Sequence, residues 1–151
     1  MFFIANHPIY NHPLPEGHRF PMLKYELLPK QLLHEGTAEC TDFYSPDCID
    51  LSLVHAVHTV SYVKALTELT LDAKAVRSIG FPLSAALVER ELRIAQGTVV
   101  GCNHALENGI AFNIAGGTHH AFSDRGEPFC LLNDQAIAAQ YLINQKKCHK
   151  I

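Results

Sequence analysis

Two adjacent histidines, His119 and His120, leave a Gly116-Gly117 turn that directly follows an apolar run at residues 110–114. Imidazole changes charge near neutral pH, so a pair of them can position a water and pass its proton to a leaving group. The two glycines let the backbone turn sharply and let another group come close. In parallel α/β sheets, ligands gather at the carboxyl ends of strands, and a His-His step just past a strand stands in that place. A pair that merely caps its own loop by hydrogen bonding is the other reading of the same residues. Ten histidines in 151 residues make the whole chain rich in this side chain.

Two further segments carry reactive groups. His12-Pro13-Leu14-Pro15-Glu16-Gly17-His18-Arg19-Phe20-Pro21 is an irregular loop in which Glu16, His18 and Arg19 form either a buried polar network or a solvated turn. In Phe129-Cys130-Leu131-Leu132-Asn133-Asp134, Cys130 is either a core thiol or a nucleophile paired with His119 or His120. Asn133 and Asp134 read as helix-starting residues, and His55 and His58 as structural histidines ahead of a helix. The five cysteines are odd in number and contain no CxxC, which argues against a disulfide framework or a structural zinc knuckle.

The elements that must hold these groups are α/β in pattern. Residues 2–5 and 110–114 read as short buried strands. Residues 6–21 are loop. A helix from Pro21 runs through Tyr25, Leu28 and Leu32, with Pro29 expected to kink or split it and Gly36 to end it. Residues 50–57 are apolar without a clear period and fit strand or loop. Residues 61–71 have helical spacing at Tyr62, Leu66 and Leu69. The longest helix spans Ser84 to about Leu106, with Gly97 a weak point inside it and Asn108-Gly109 as its stop. A last helix starts at Asn133. Helices alternating with short apolar strands give a three-layer αβα arrangement around a parallel sheet. Such long helices outrun two or three visible strands, and a βαβ order asks for another strand after the last helix. The sequence thus reads as the first part of a longer domain.

Composition narrows the function classes. The chain is 48% hydrophobic and 18% charged, which excludes a disordered tail. A net charge of -3 lacks the basic surface that phosphate binding needs, so no nucleic-acid partner is expected. No apolar run reaches the roughly 18 residues of a membrane span, and the first residues lack the basic start of a signal peptide. No membrane partner is expected, and the cytoplasm is the expected compartment.

In combination, Gly116-Gly117-Thr118-His119-His120-Ala121, Phe129-Cys130 and Asn133-Asp134 resemble the zinc-dependent histone deacetylase family, in particular its bacterial, class IV-like and acetoin-utilisation members. Pro15-Glu16-Gly17-His18-Arg19-Phe20-Pro21-Met22, Val57-His58 with Tyr62, and Ile79-Gly80-Phe81-Pro82 extend the resemblance over nearly the whole chain. It implies the fold shared with arginase, and hydrolysis of an acetyl-amide (acetyl-lysine or a small acetylated amine) through a zinc-bound water. It makes His119 and His120 the catalytic acid/base pair. Arg19 would line an internal channel, Gly117 would help wall it, and Phe129 would line the acyl-lysine tunnel.

The sequence also departs from the family pattern. The family's zinc ligands begin in an Asp-x-His segment that these residues do not contain, so no metal ligand is assigned here and the ligands are expected beyond Ile151. Pro128 stands where the family usually has Gly. The expectation is therefore the N-terminal portion, residues 1–151, of one deacetylase-like domain, inactive alone, whose complete form takes Zn2+. The alternative is a non-catalytic interaction module. Exposed apolar faces would favour self-association.

Overall fold

A computed structural model describes residues 2–151. Three short parallel strands form its centre: β1 (Ile4–Ala5), β2 (Phe43–Tyr44) and β3 (Phe112–Asn113). Their spatial order is β2-β1-β3. Ile4 lies opposite Phe43 on one side and Phe112 on the other, and Ala5 opposite Tyr44 and Asn113. Parallel neighbours demand long crossovers, and these carry the helices. The first crossover holds α1 (Lys24–His34). The second holds α2 (Leu51–His55), α3 (Val60–Thr67), α4 (Ala73–Ile79) and α5 (Ala85–Asn108). After β3 comes α6 (Asp134–Asn144), packed on α5.

Alternation along the strands sorts the residues to two faces. Phe3, Ala5, Ala111 and Asn113 face α5. An added Cβ on Gly97 would lie 2.9 Å from Asn113 Nδ2, 3.0 Å from Ala5 Cβ and 3.0 Å from Tyr10 Oη. Gly97 is therefore no weak point, but the place where helix and sheet come closest. The opposite face shows Ile4, Ile114, Phe2 and Phe112. Leu32 of α1 stands over it across an apolar cavity of about 180 Å3. Phe2 and Phe112 remain 46% and 49% exposed.

The caps follow the residue types. Ser84 accepts the Leu87 N–H (3.1 Å) to open α5, and Gly109 closes it at φ +92°. Asn133 accepts the Ala136 N–H (2.9 Å) to open α6. Inside α5, Arg90 and Glu91 are both buried and paired with each other. Arg90 Nε also donates to the Tyr10 carbonyl at 3.0 Å, joining α5 to the N-terminal loop.

Several elements differ from the sequence-based expectation. α1 runs unbroken through Pro29. Tyr25 and Pro29, four residues apart, are its two buried residues, so burial of the ring offsets the missing amide. Residues 50–57 are neither strand nor plain loop; Asp50 accepts the Ser52 N–H (2.8 Å) and starts α2. α4 and β2 were not foreseen, and α3 stops at Thr67, ahead of Leu69 at φ +58°.

The closeness at Gly97 sets the sign of a substitution. In an open helix Gly→Ala gains about 1 kcal/mol, whereas forcing atoms into a filled contact costs about 1–3 kcal/mol. Gly97→Ala is expected to lower the urea midpoint at unchanged m-value.

Candidate active site

The loop after β3 is tied down before it reaches the histidines. The Gly116 N–H donates to the Asn113 carbonyl (3.2 Å), and Gly117 takes φ +90°, which favours glycine. Asp134, the first residue of α6, is fully buried. Its carboxylate accepts the Gly117 N–H at 3.0 Å and the Thr118 hydroxyl at 2.7 Å. It also accepts the Thr98 hydroxyl from α5. A buried carboxylate needs such donors, and a helix N-terminus favours its charge.

Asn133 holds the other side of the loop. Its Nδ2 donates to the carbonyls of His119 (3.2 Å) and Ala121 (3.4 Å). Its backbone N–H donates to His58 Nε2 at 3.1 Å. His58 is 1% exposed and must keep that nitrogen unprotonated to accept. Burial holds its pKa below 6.5, against the raising effect of the Phe122 and Ser123 backbone.

Between these anchors stand the exposed imidazoles of His119 and His120, with ring centroids 4.3 Å apart and planes inclined by 32°. His119 Nδ1 lies 2.9 Å from the Gly117 carbonyl. A carbonyl only accepts, so in this arrangement Nδ1 carries the proton and Nε2 keeps a lone pair facing outward.

Arg19 and Phe129 form a second group. Phe129 sits at φ +61°, a rare conformation for a bulky residue, directly after Pro128. Its N–H donates to the Ile79 carbonyl at 2.7 Å. Its ring packs against Phe20 at 5.0 Å and Phe81 at 5.1 Å. The Arg19 guanidinium lies 4.9 Å above the same ring. Gly80, at φ +77°, lets the ring approach; a Cβ there would meet it at 3.2 Å. His18 Nε2 binds the Gly80 carbonyl at 2.8 Å, so the His18–Arg19 turn and the Phe129 turn share one support.

Cys130 connects the groups. It is buried, takes the Ala121 N–H at 3.2 Å and gives its own hydrogen to the Leu132 carbonyl at 3.3 Å. Burial pushes its pKa up, which opposes the thiolate a nucleophile needs. Cys130 is a core thiol.

The structure thus sets Gly117, His119 and His120 together on the loop after β3, and Arg19 against Phe129. Sequence reading missed Thr98 and the anchoring roles of His58 and Asp134. Asp134 was visible only as a helix start, and its donors come from α5 and from the loop. Among the described residues, no group of three or more His, Cys, Asp or Glu could hold a metal ion. No described helix is long and apolar enough to cross a membrane.

Residues 18–151 match the family model described as "Histone deacetylase domain". An uncharacterized protein of Picosynechococcus sp. is 46% identical over 139 residues, covering 92% of this chain and 46% of its own length. The acetoin utilization protein AcuC of Bacillus subtilis is 33% identical over 105 residues, covering 65% of this chain and 27% of its own length. A crystal structure of an HDAC homolog complexed with SAHA superposes with a TM-score of 0.80 at 22% identity, over 95% of this chain and 41% of that one. The chain therefore spans less than half the length of these relatives.

The His58 contact makes stability depend on pH. Its folded pKa lies below the unfolded value of 6.5, so the unfolded chain binds the proton first. The contribution is complete above pH 6.5 and falls as pH drops from there toward the folded pKa, by up to about 1.4 kcal/mol per pH unit. His7 and His12, also held low by burial, add in the same direction. Urea unfolding between pH 7.5 and 5 should show this loss, with a shallower slope for His58→Phe.

Proposed function

The chain belongs to the histone deacetylase family, and on that premise we propose that it supplies the acid/base histidines for hydrolysis of an acetyl-amide. The observation that carries the reading is the side-by-side placement of His119 and His120 on an anchored loop at the carboxyl end of β3. Water adds to the amide carbonyl, one imidazole takes the proton it gives up, and the C–N bond breaks as an imidazole protonates the amine. Acetate and a free amine result. The substrate class is acetyl-lysine or a small acetylated amine.

Arg19, Gly117 and Phe129 are assigned to the substrate channel. In support, the Arg19 guanidinium lies against the Phe129 ring. The apolar face of that ring suits a methylene stem. Gly117 carries no side chain to obstruct the approach to the histidines.

Family members generally use Zn2+, which acts as a Lewis acid and lowers the pKa of a bound water. The reading takes the metal ligands from residues beyond Ile151, and on it this chain alone is inactive.

A second reading, a non-catalytic module that associates through apolar surface, draws on the half-exposed Phe2 and Phe112 and on Leu23, Leu27 and Leu28 along α1. Sedimentation velocity decides it: a monomer at every concentration removes self-association.

Activity is tested on an acetyl-lysine peptide with this chain alone and fused to the remaining length of its Picosynechococcus relative. The expected result is no turnover alone and turnover in the fusion that a chelator abolishes. His119→Ala or His120→Ala should lower kcat/KM by about 10²–10⁴-fold. Undiminished turnover in both variants overturns the reading, and loss on thiol alkylation with chelators harmless transfers it to a cysteine.

A further inference from the structure

The chain reverses direction at Glu127-Pro128-Phe129-Cys130, and both ends of the reversal are bonded. The Glu127 N–H donates to the Cys130 carbonyl at 3.0 Å, and the Cys130 N–H to the Glu127 carbonyl at 2.9 Å. Two residues, Pro128 and Phe129, therefore close a hairpin. The pyrrolidine ring holds Pro128 at a φ of about −65°. Phe129 follows at φ +61°. A bonded turn with a negative first φ and a positive second one is type II. Two rules are broken here. Glycine ordinarily takes the second position of such a turn, and two-residue hairpins ordinarily use the primed turns, whose twist matches the strands. The type II form turns the central N–H, that of Phe129, onto the Ile79 carbonyl at 2.7 Å. It also sends the ring against Phe20 and Phe81, under the Arg19 guanidinium.

We propose that Pro128 is a positioning residue for Phe129: by keeping the first φ of the turn negative, it closes the primed turns to this hairpin and keeps the Phe129 ring in its aromatic wall. A primed turn needs a positive φ at the first position, which proline cannot adopt. With glycine there, type II′ opens. It keeps both Glu127–Cys130 bonds, suits the strand twist and returns Phe129 to a negative φ, which a bulky residue prefers. Type II′ is the mirror image of type II, so its central N–H points to the opposite face, away from Ile79, and the ring goes with it. Pro128 is itself exposed and acts through the sign of one torsion. That the wall holds substrate rests on the deacetylase reading; the choice of turn does not.

The test is NMR on the labelled chain. It reads the amide–Hα cross-peak within Phe129, strong only at positive φ, and the solvent exchange of the Phe129 amide. The wild type should show a strong cross-peak and a protected amide. In Pro128→Gly the cross-peak should weaken and the amide exchange about tenfold faster or more, as the hairpin takes the turn it prefers. The Cys130 amide should stay protected, since the hairpin itself persists. Pro128→Ala is the rescue: an L side chain also keeps the first φ negative, so Phe129 should stay as in the wild type. A proline that only stiffened the chain would make the alanine variant resemble the glycine one. In the fusion with the Picosynechococcus length, Pro128→Gly should raise KM for the acetyl-lysine peptide about threefold or more with kcat little changed, because a wall along the stem binds ground and transition states alike. An unmoved Phe129 in Pro128→Gly overturns the proposal, as does release of Phe129 in Pro128→Ala or an unchanged KM beside a moved Phe129. If Pro128→Gly does not fold, the alanine variant decides: Phe129 released overturns the proposal, and Phe129 held supports it. An inactive fusion beside a turn that follows the two variants sinks the deacetylase reading alone.

Discussion

The close approach of α5 to the sheet at Gly97 is the constraint from which the site geometry follows. With no side chain at Gly97, the Asn113 amide can reach both the Ile94 carbonyl (2.9 Å) and the Thr98 hydroxyl (2.9 Å) across the interface. Thr98 then stands one residue beyond the contact and passes its own hydrogen to Asp134. Asp134 holds Gly117 and Thr118, and Gly117 holds His119. Helix, strand end, loop and imidazole are thus linked in series by hydrogen bonds whose starting distance is set by a missing Cβ. A bulkier residue at that point would lift α5 from β3 and lengthen every later link. Close packing of this kind transmits displacement because interiors have little free volume to absorb it.

The two candidate groups are built by different physics. The histidine loop is held by polar contacts to a buried carboxylate, an asparagine and a neutral buried histidine. The Arg19–Phe129 group is held by aromatic packing among Phe20, Phe81 and Phe129. Directional hydrogen bonds suit a site where a proton must be delivered to a stated atom. Aromatic walls suit a surface that has only to exclude water and accept an apolar stem. Phe129 reaches its place at a backbone conformation that costs about 1–3 kcal/mol, and the hydrogen bond to the Ile79 carbonyl helps hold it there.

Much of this was legible in the sequence wherever a signal is local. Ser84 and Gly109 marked the ends of α5, Asn133 marked α6, and the His-His step after an apolar run marked the site. Short elements were legible only inside a longer apolar run, as β1 and β3 are. β2 is two residues set among polar ones and α2 is five, too few to show alternation or a helical stripe. α4 had a readable cap at Asp72 and a readable stop at Gly80, but its face is mostly Ala, Lys and Arg. Pro29 misled because the local rule counts a lost amide and cannot count a buried ring. Gly97 misled in the same way, since helix propensity says nothing of strand side chains that an added Cβ would meet at 3.0 Å or less. The role of Asp134 needed three donors from two distant segments, and only the folded chain brings them together.

The pairing order has a consequence for how the chain is made. β1 is translated first but sits between β2 and β3, with Ile4 opposite both Phe43 and Phe112. After β2 emerges, one edge of β1 stays open until the whole second crossover has been synthesised. At about 5–20 residues per second that is an interval of several seconds. During it the nascent chain carries an unpaired strand edge beside Phe2 and Phe3, the kind of segment that recruits chaperones or neighbouring chains. A slow ribosome is a hazard to this fold, and synonymous codons between β2 and β3 are where selection would act on its yield.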